Sequence, residues 1–263
     1  MQQTTGDDRV LKKAKSCPAE VVCQMKDLAR SAIRPLMKLG YDEIMEDHHA
    51  ELKEALLLPD VVRTILTGGS DVLRIIALEN LPPTSLRNDD VVASIFHLLE
   101  NTNSHDIRDA VLEAFVYQDD ADALIRKHID SIFTMMKSCC PFVRSSAISI
   151  ALGMDQDSLE KYAPIVVPML GDDDPCVRFN TLSFLAALEP DALAQYVSRV
   201  TEMLEDEESG VREMALDVLQ ERLDFDDLQR HEDSIRLLFK RDPEMTRHFP
   251  ELLERWPALI NDI

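Results

Sequence analysis

Glycine is scarce, with 7 residues in 263, and aromatics make up only 5%. So few glycines argue against a sheet protein of this size. A 45% hydrophobic content with few rings suits helix layers packed by Leu, Ile, Val and Ala, and argues against disorder. No apolar run approaches the ~20 residues that span a bilayer. Residues 1–15 are polar and lack an apolar h-region, so neither membrane insertion nor a secretory signal is expected. Five cysteines (Cys17, Cys23, Cys139, Cys140 and Cys176) show no C-x-x-C spacing, and neighbouring cysteines rarely bridge each other. They read as reduced thiols without a metal or redox role, which places the chain in the cytoplasm or another reducing compartment.

Positive charge is also short. Lys and Arg total 28 against 49 Asp and Glu, for a net charge of −21. The imbalance grows along the chain: 8 acidic and 8 basic residues in 1–48, 15 and 9 in 49–154, 26 and 11 in 155–263. A nucleic-acid binder needs a positive stripe, and anionic lipid would be repelled, so neither partner is expected. Two readings of the acidity remain: a basic protein partner, or an acidic coat that keeps a long repeat protein soluble.

What is present is a period. Five arginines, Arg74, Arg108, Arg144, Arg178 and Arg212, follow one another at 34, 36, 34 and 34 residues, each preceded by an apolar residue. Offsets of three, four and seven from each arginine carry Ala77, Leu78, Leu81; Val111, Leu112, Phe115; Ala147, Ile148, Ala151; Thr181, Leu182, Leu185; and Ala215, Leu216, Leu219. These positions share one face of an α-helix, and Thr181 is the one polar member. A repeat of this length is a two-helix unit that buries its apolar face against its neighbours, so a single elongated array is expected. Each arginine opens the second helix of a pair. Asp174 before Pro175 reads as an N-cap followed by proline at the first helical position.

The expected organisation is a mobile segment over 1–17, a helical cap over 18–47 interrupted at Pro35 and Gly40, five repeats over 48–224, and a degenerate sixth repeat with C-terminal cap over 225–263. The first helix of repeat one is placed at 51–66, disturbed by Pro59. Arg247 is in register for the sixth repeat, and Trp256 marks its irregular end.

The units resemble HEAT repeats of the shorter, HEAT-like kind, over roughly residues 50–223. That family places Asp six residues before a Val-Arg pair and often Pro fourteen before the Arg. Asp172 and Arg178, Asp206 and Arg212, and Pro164 and Arg178 match. The resemblance implies an all-α, right-handed α-solenoid with irregular helical caps, in which Asp172, Arg178, Asp206 and Arg212 form a ladder between neighbouring repeats. Gly68, Thr102 and Ser138 replace the Asp in the earlier repeats, so Arg74, Arg108 and Arg144 are expected to bond turn carbonyls instead. Tetratricopeptide and ankyrin signatures are absent.

Two enzymatic branches of this family set the test for chemistry. The deoxyhypusine hydroxylases hold two irons with repeated His-Glu pairs; this chain has one such pair, His231-Glu232. His48 and His49, near Asp47 and Glu51, read as solvated residues at a helix start. With no His recurring at a common offset, no metal or other cofactor is expected. The bilin lyases are built from similar units and supply the alternative function, an enzyme or chaperone-like lyase acting on a cofactor-bearing protein. No nucleophile triad or phosphate loop is present, and the preferred reading is a non-catalytic scaffold or adaptor.

In HEAT solenoids the second helices line the concave side. Offsets one and five from each arginine fall outside the apolar stripe and read Ile75, Asp109, Ser145, Phe179, Glu213 and Glu79, Glu113, Ser149, Ser183, Asp217. The expected binding surface has Phe179 among Ser145, Ser149 and Ser183 at its centre, framed by Asp109, Glu113, Glu213 and Asp217. Its partner would be a protein segment with an apolar residue and flanking Lys or Arg. The competing reading is a solvated inner face on which Phe179 overlaps its neighbour.

Overall fold

The structure, a computed structural model, describes residues 35–117 and 120–260. The segment expected to be mobile, most of the N-terminal cap, Cys17 and Cys23 lie outside the described residues. Among those described, helix is the only regular secondary structure. The chain folds as two compact units that divide after Asp120.

Among the described residues of the first unit the α-helices are α1 (Tyr41–Asp47), α2 (His49–Leu56), α3 (Pro59–Gly68), α4 (Asp71–Glu79), α5 (Asp89–Asn101) and α6 (His105–Val116). The helix expected over 51–66 is two helices. Proline lacks the N–H that an interior position must donate, so Leu58 caps a new helix and Pro59 becomes its first residue. Three starts are fixed by side chains: Ser70, Asn88 and Ser104 accept hydrogen bonds from Leu73 N, from Asp90 and Val91 N, and from Ile107 N. Gly69 closes α3 because a β-carbon there would lie 2.6 Å from the Ile65 carbonyl oxygen.

The first unit's helices pair as hairpins, α3 with α4 and α5 with α6, and the hairpins lie side by side, α3 against α5 and α4 against α6. Ile65, Ile76, Val91, Ile95 and Phe115 are fully buried between them, and Phe96 stacks on Phe115 at 5.3 Å.

The second unit begins with α7 (Ala121–Lys127) and α8 (Ile129–Met135), followed by α9 (Pro141–Ala151), α10 (Gln156–Val166) and α11 (Pro175–Ala186). It continues with α12 (Pro190–Leu193), α13 (Val197–Glu202), α14 (Ser209–Arg222), α15 (Phe225–Gln229), α16 (Glu232–Arg241) and α17 (Pro250–Arg255). Prolines disturb the helix that precedes Arg178. Pro164 and Pro168 turn the end of α10 into a 3₁₀ segment, Val167–Gly171. The helices opened by arginines form a row: α9 packs on α11 and α11 on α14, each backed by α8, α10 or α13.

Of the apolar-stripe positions, all are buried except Leu112, which is half-buried. Thr181 is buried as well, and its hydroxyl donates to the Val177 carbonyl at 2.8 Å, which explains how a polar residue is accommodated there. The sixth pair is less regular than its register suggests. Arg247 sits in a 3₁₀ turn, 80% exposed and beside Glu244, whereas the Arg178 side chain is 8% exposed. Trp256 is buried and meets Phe225 edge-on at 5.5 Å.

Candidate protein-binding face

The arginines that define the period anchor the row of helices. Arg144 Nε and Nη2 donate to both carboxylate oxygens of Asp172 at 2.7 and 2.6 Å. Arg178 does the same to Asp206 at 2.8 and 2.7 Å, and Arg212 donates to Asp242. The Nη1 of each turns back to two carbonyls of its own turn: Ser138 and Cys139, Asp172 and Asp173, Asp206 and Glu207. Each aspartate therefore ties the arginine before it to the turn that opens the next helix. Asp172 and Asp206 also accept from the backbone N–H two residues on, at 2.9 Å.

This corrects the expectation for Arg144, which bonds its turn carbonyls and also an aspartate. The arginine reaches forward by 28 residues for its carboxylate, so the side chain at Ser138, whose carbonyl it bonds, does not decide that pairing. Arg74 and Arg108 do bond turn carbonyls, those of Thr67 and Thr102. Sequence reasoning missed Asp242 because it lies 30 residues beyond Arg212, after the irregular α15–α16 segment.

Burial pushes the Asp172 carboxyl up, but the hydrogen bonds from Arg144 and the Asp174 N–H, with the charges of Arg144 and Arg178, outweigh it and hold the pKa below the ordinary value. The hydrogen bond to Asp172 correspondingly raises Arg144. A depressed carboxylate contributes stability that is present above its unfolded pKa and lost as the pH falls through the folded value. Asp172→Asn should therefore cost about 2 kcal/mol at pH 7. The gap to the parent should close as both are titrated below about pH 4, as measured by denaturant unfolding across pH.

None of the offset-one and offset-five residues is buried. Phe179 stands on α11 with its residue 39% exposed. The hydroxyls of Ser145 and Ser149 on α9 and of Ser183 on α11 are engaged within the protein. Asn180, a residue that sequence reasoning overlooked, reaches from α11 to α9, where its amide donates to Ser145 Oγ at 2.6 Å and Ser149 Oγ at 3.0 Å. Ser149 and Ser183 donate to the carbonyls four residues back, those of Ser145 and Phe179. Nothing but spatial proximity links Asn180 to these serines, so no periodic signal marks it.

On α14, Glu213 is joined by His248 at 2.8 Å, a second residue that the period does not reveal. Burial raises the pKa of Asp217, and the charges of Glu213 and Glu221 raise it further, against a lowering by His248. The structure thus brings Phe179, Ser145, Ser149 and Ser183 onto the α9–α11 surface, with Glu213 and Asp217 on the adjoining helix. Asp109 and Glu113 lie on α6 of the first unit, both exposed.

The histidines serve local roles. His231 bonds Thr201 Oγ1, and burial lowers its pKa. His48 meets Glu51, while His49 is half-buried and bonds Asn80 Oδ1 at 2.9 Å, so it is packed rather than solvated as expected. Cys139, Cys140 and Cys176 are free thiols, and burial with the nearby Asp174 and Glu208 charges raises Cys176. Among the described residues no cluster of three or more His, Cys, Asp or Glu could hold a metal ion, and no helix is long and apolar enough to cross a membrane. Set against models of known protein families and against the curated proteins, the chain matches none.

Proposed function

We propose that the chain is a HEAT-like α-solenoid acting as a non-catalytic interaction module, a scaffold or adaptor whose second helices hold a segment of a protein partner. The observation that carries this reading is Phe179. A large ring is left 39% exposed on α11, beside Asn180, whose amide already donates to Ser145 and Ser149, and one turn from Ser183, whose hydroxyl donates to the Phe179 carbonyl. Such a surface offers apolar contact without demanding new polar partners, as the centre of a protein interface does. The acidic pair beside it supplies the rim. Burial first, and then the charges of Glu213 and Glu221, raise the pKa of Asp217, and a lysine or arginine of the partner would favour its charged form.

Selection of peptides from a random library on the purified protein tests this. Recovered peptides should carry an apolar residue flanked by Lys or Arg. Phe179→Ala should weaken them by more than about 1 kcal/mol, chiefly through faster dissociation. Glu213→Lys with Asp217→Lys should instead slow association and flatten its salt dependence, because rim charges act at long range. Peptides indifferent to Phe179→Ala but lost on changing exposed Ile165 of α10 would move the binding surface to the first helices and end this assignment.

A further inference from the structure

Phe179 has a counterpart one helix earlier in the row. Phe142, two residues before Arg144, is 41% exposed on α9, as Phe179, one residue after Arg178, is 39% exposed on α11. Asp217, five residues after Arg212, follows on α14, with Glu213 and Glu221 one turn to either side. At about 3.6 residues per turn these three offsets fall within about 60° of one another, on the side of each helix away from the buried stripe. The three helices begin level, because Arg144 and Arg178 each hold the aspartate of the turn that opens the next helix. Asn180 keeps α9 and α11 in step, since its own offset lies between those of its partners Ser145 and Ser149. Packed helices stand about 8–10 Å apart and rise about 1.5 Å per residue. From Phe142 to Phe179 the path crosses one helix spacing and three residues of rise; from Phe179 to Asp217 it crosses one spacing and four. Each step is therefore about 9–12 Å, and both slant the same way.

We propose that the partner's segment is a polyproline II helix laid across α9, α11 and α14. One apolar side chain meets Phe142, a second meets Phe179 three residues along, and a Lys or Arg meets Asp217 three residues beyond. This pattern rests on the reading of Phe179 as the centre of a protein interface. Polyproline II has three residues per turn and rises about 3.1 Å per residue, so every third side chain returns to the same side about 9 Å on. A β-strand returns a side chain every second residue, at about 6.6 Å and then about 13 Å, and misses both steps. Nor do the described residues offer a strand edge for it to pair with. An α-helix matches at seven residues, but it also sets side chains on the same line one turn apart. Those would fall between the two rings, where the Asn180 amide already meets the Ser145 and Ser149 hydroxyls. Polyproline II turns its intervening residues away, and its backbone keeps its water. The acids on α14 give the track its polarity, with the basic residue at that end and the apolar ones on α9 and α11.

The probes are short, capped, dye-labelled proline-rich peptides carrying Leu, Leu and Lys at every third position, in that order and in the reverse, titrated against the full chain by fluorescence anisotropy. Controls place the same three side chains two or four residues apart, or seven apart on an alanine-rich helical peptide. In one of the two orders the three-residue spacing should bind about tenfold tighter or more than every control. Phe142→Ala should weaken that peptide about fivefold or more. It should leave unchanged a peptide whose outer Leu is already Ala, since the two changes remove one contact. Replacing that Leu reads the contact without altering the protein. Asp217→Asn should erase the preference for Lys over Ala at the basic position. Equal binding at all spacings, tighter binding of the helical peptide, or indifference of the matched peptide to Phe142→Ala overturns the proposal. If Phe179→Ala still weakens binding in that case, the track fails and the Phe179 surface stands. If no peptide responds to Phe179→Ala, both fall.

Discussion

Leu182→Ala should cost about 2–5 kcal/mol, because truncation removes transfer energy and leaves a cavity that the surroundings only partly close. Leu182 lies on α11, the middle helix of the α9–α11–α14 row, and is fully buried; Leu216 has the same place on α14 and should behave alike. A middle helix is packed on both flanks, so its neighbours have little room to collapse into the void, which favours the upper part of that range. Glu207→Ala is the contrasting case. Its side chain is 78% exposed and its carboxylate approaches Arg178 only to 3.6 Å, so the loss should stay within about 0.5 kcal/mol. Urea unfolding of the three variants against the parent reads the difference. Equal midpoints for Leu182→Ala and Glu207→Ala would mean that the register of α11 is wrong.

The register was legible because two constraints coincide in the sequence. An apolar stripe at offsets three, four and seven fixes which face of a helix is buried, and the preceding arginine fixes where that helix begins. Hence Leu182, Leu216 and even Thr181 fall inside as expected. Helix continuity was less legible. Pro59 starts a new helix, and Pro164, inside α10, stands just before the helix gives way to a 3₁₀ segment, since the backbone donor that proline lacks outweighs local apolar pattern. The candidate site was half legible. Exposure of Phe179 follows from its offset alone, but the Asn180 bridge to Ser145 and Ser149 depends on how α11 is set against α9. That placement comes from packing, which a period does not encode. The same holds for His248, brought to Glu213 from an irregular segment where no repeat register applies.

Arg178→Ala should cost about 3–5 kcal/mol, since removing one member of a buried pair leaves the other charged and unpaired. Arg178 and Asp206 are 8% and 6% exposed. Without the guanidinium, Asp206 keeps only its hydrogen bond from Glu208 N, and the carbonyls of Asp172 and Asp173 lose their donor. Arg178→Lys separates charge from geometry. Lysine restores a positive charge but cannot span two carboxylate oxygens and two carbonyls at once, as the planar fork does. It should therefore recover less than half of the loss. Pairing Arg178→Ala with Asp206→Asn should cost less than the sum of the singles by about 0.5–3 kcal/mol, because the amide still accepts from Glu208 N and no orphan charge remains. Denaturant unfolding of the four proteins closes the cycle, and amide exchange localises it: protection should fall first in the opening turns of α11 and α14. If lysine restored the parent's stability, the pair would act through charge alone, and the bidentate geometry that repeats from Arg144 to Arg178 would have no energetic role.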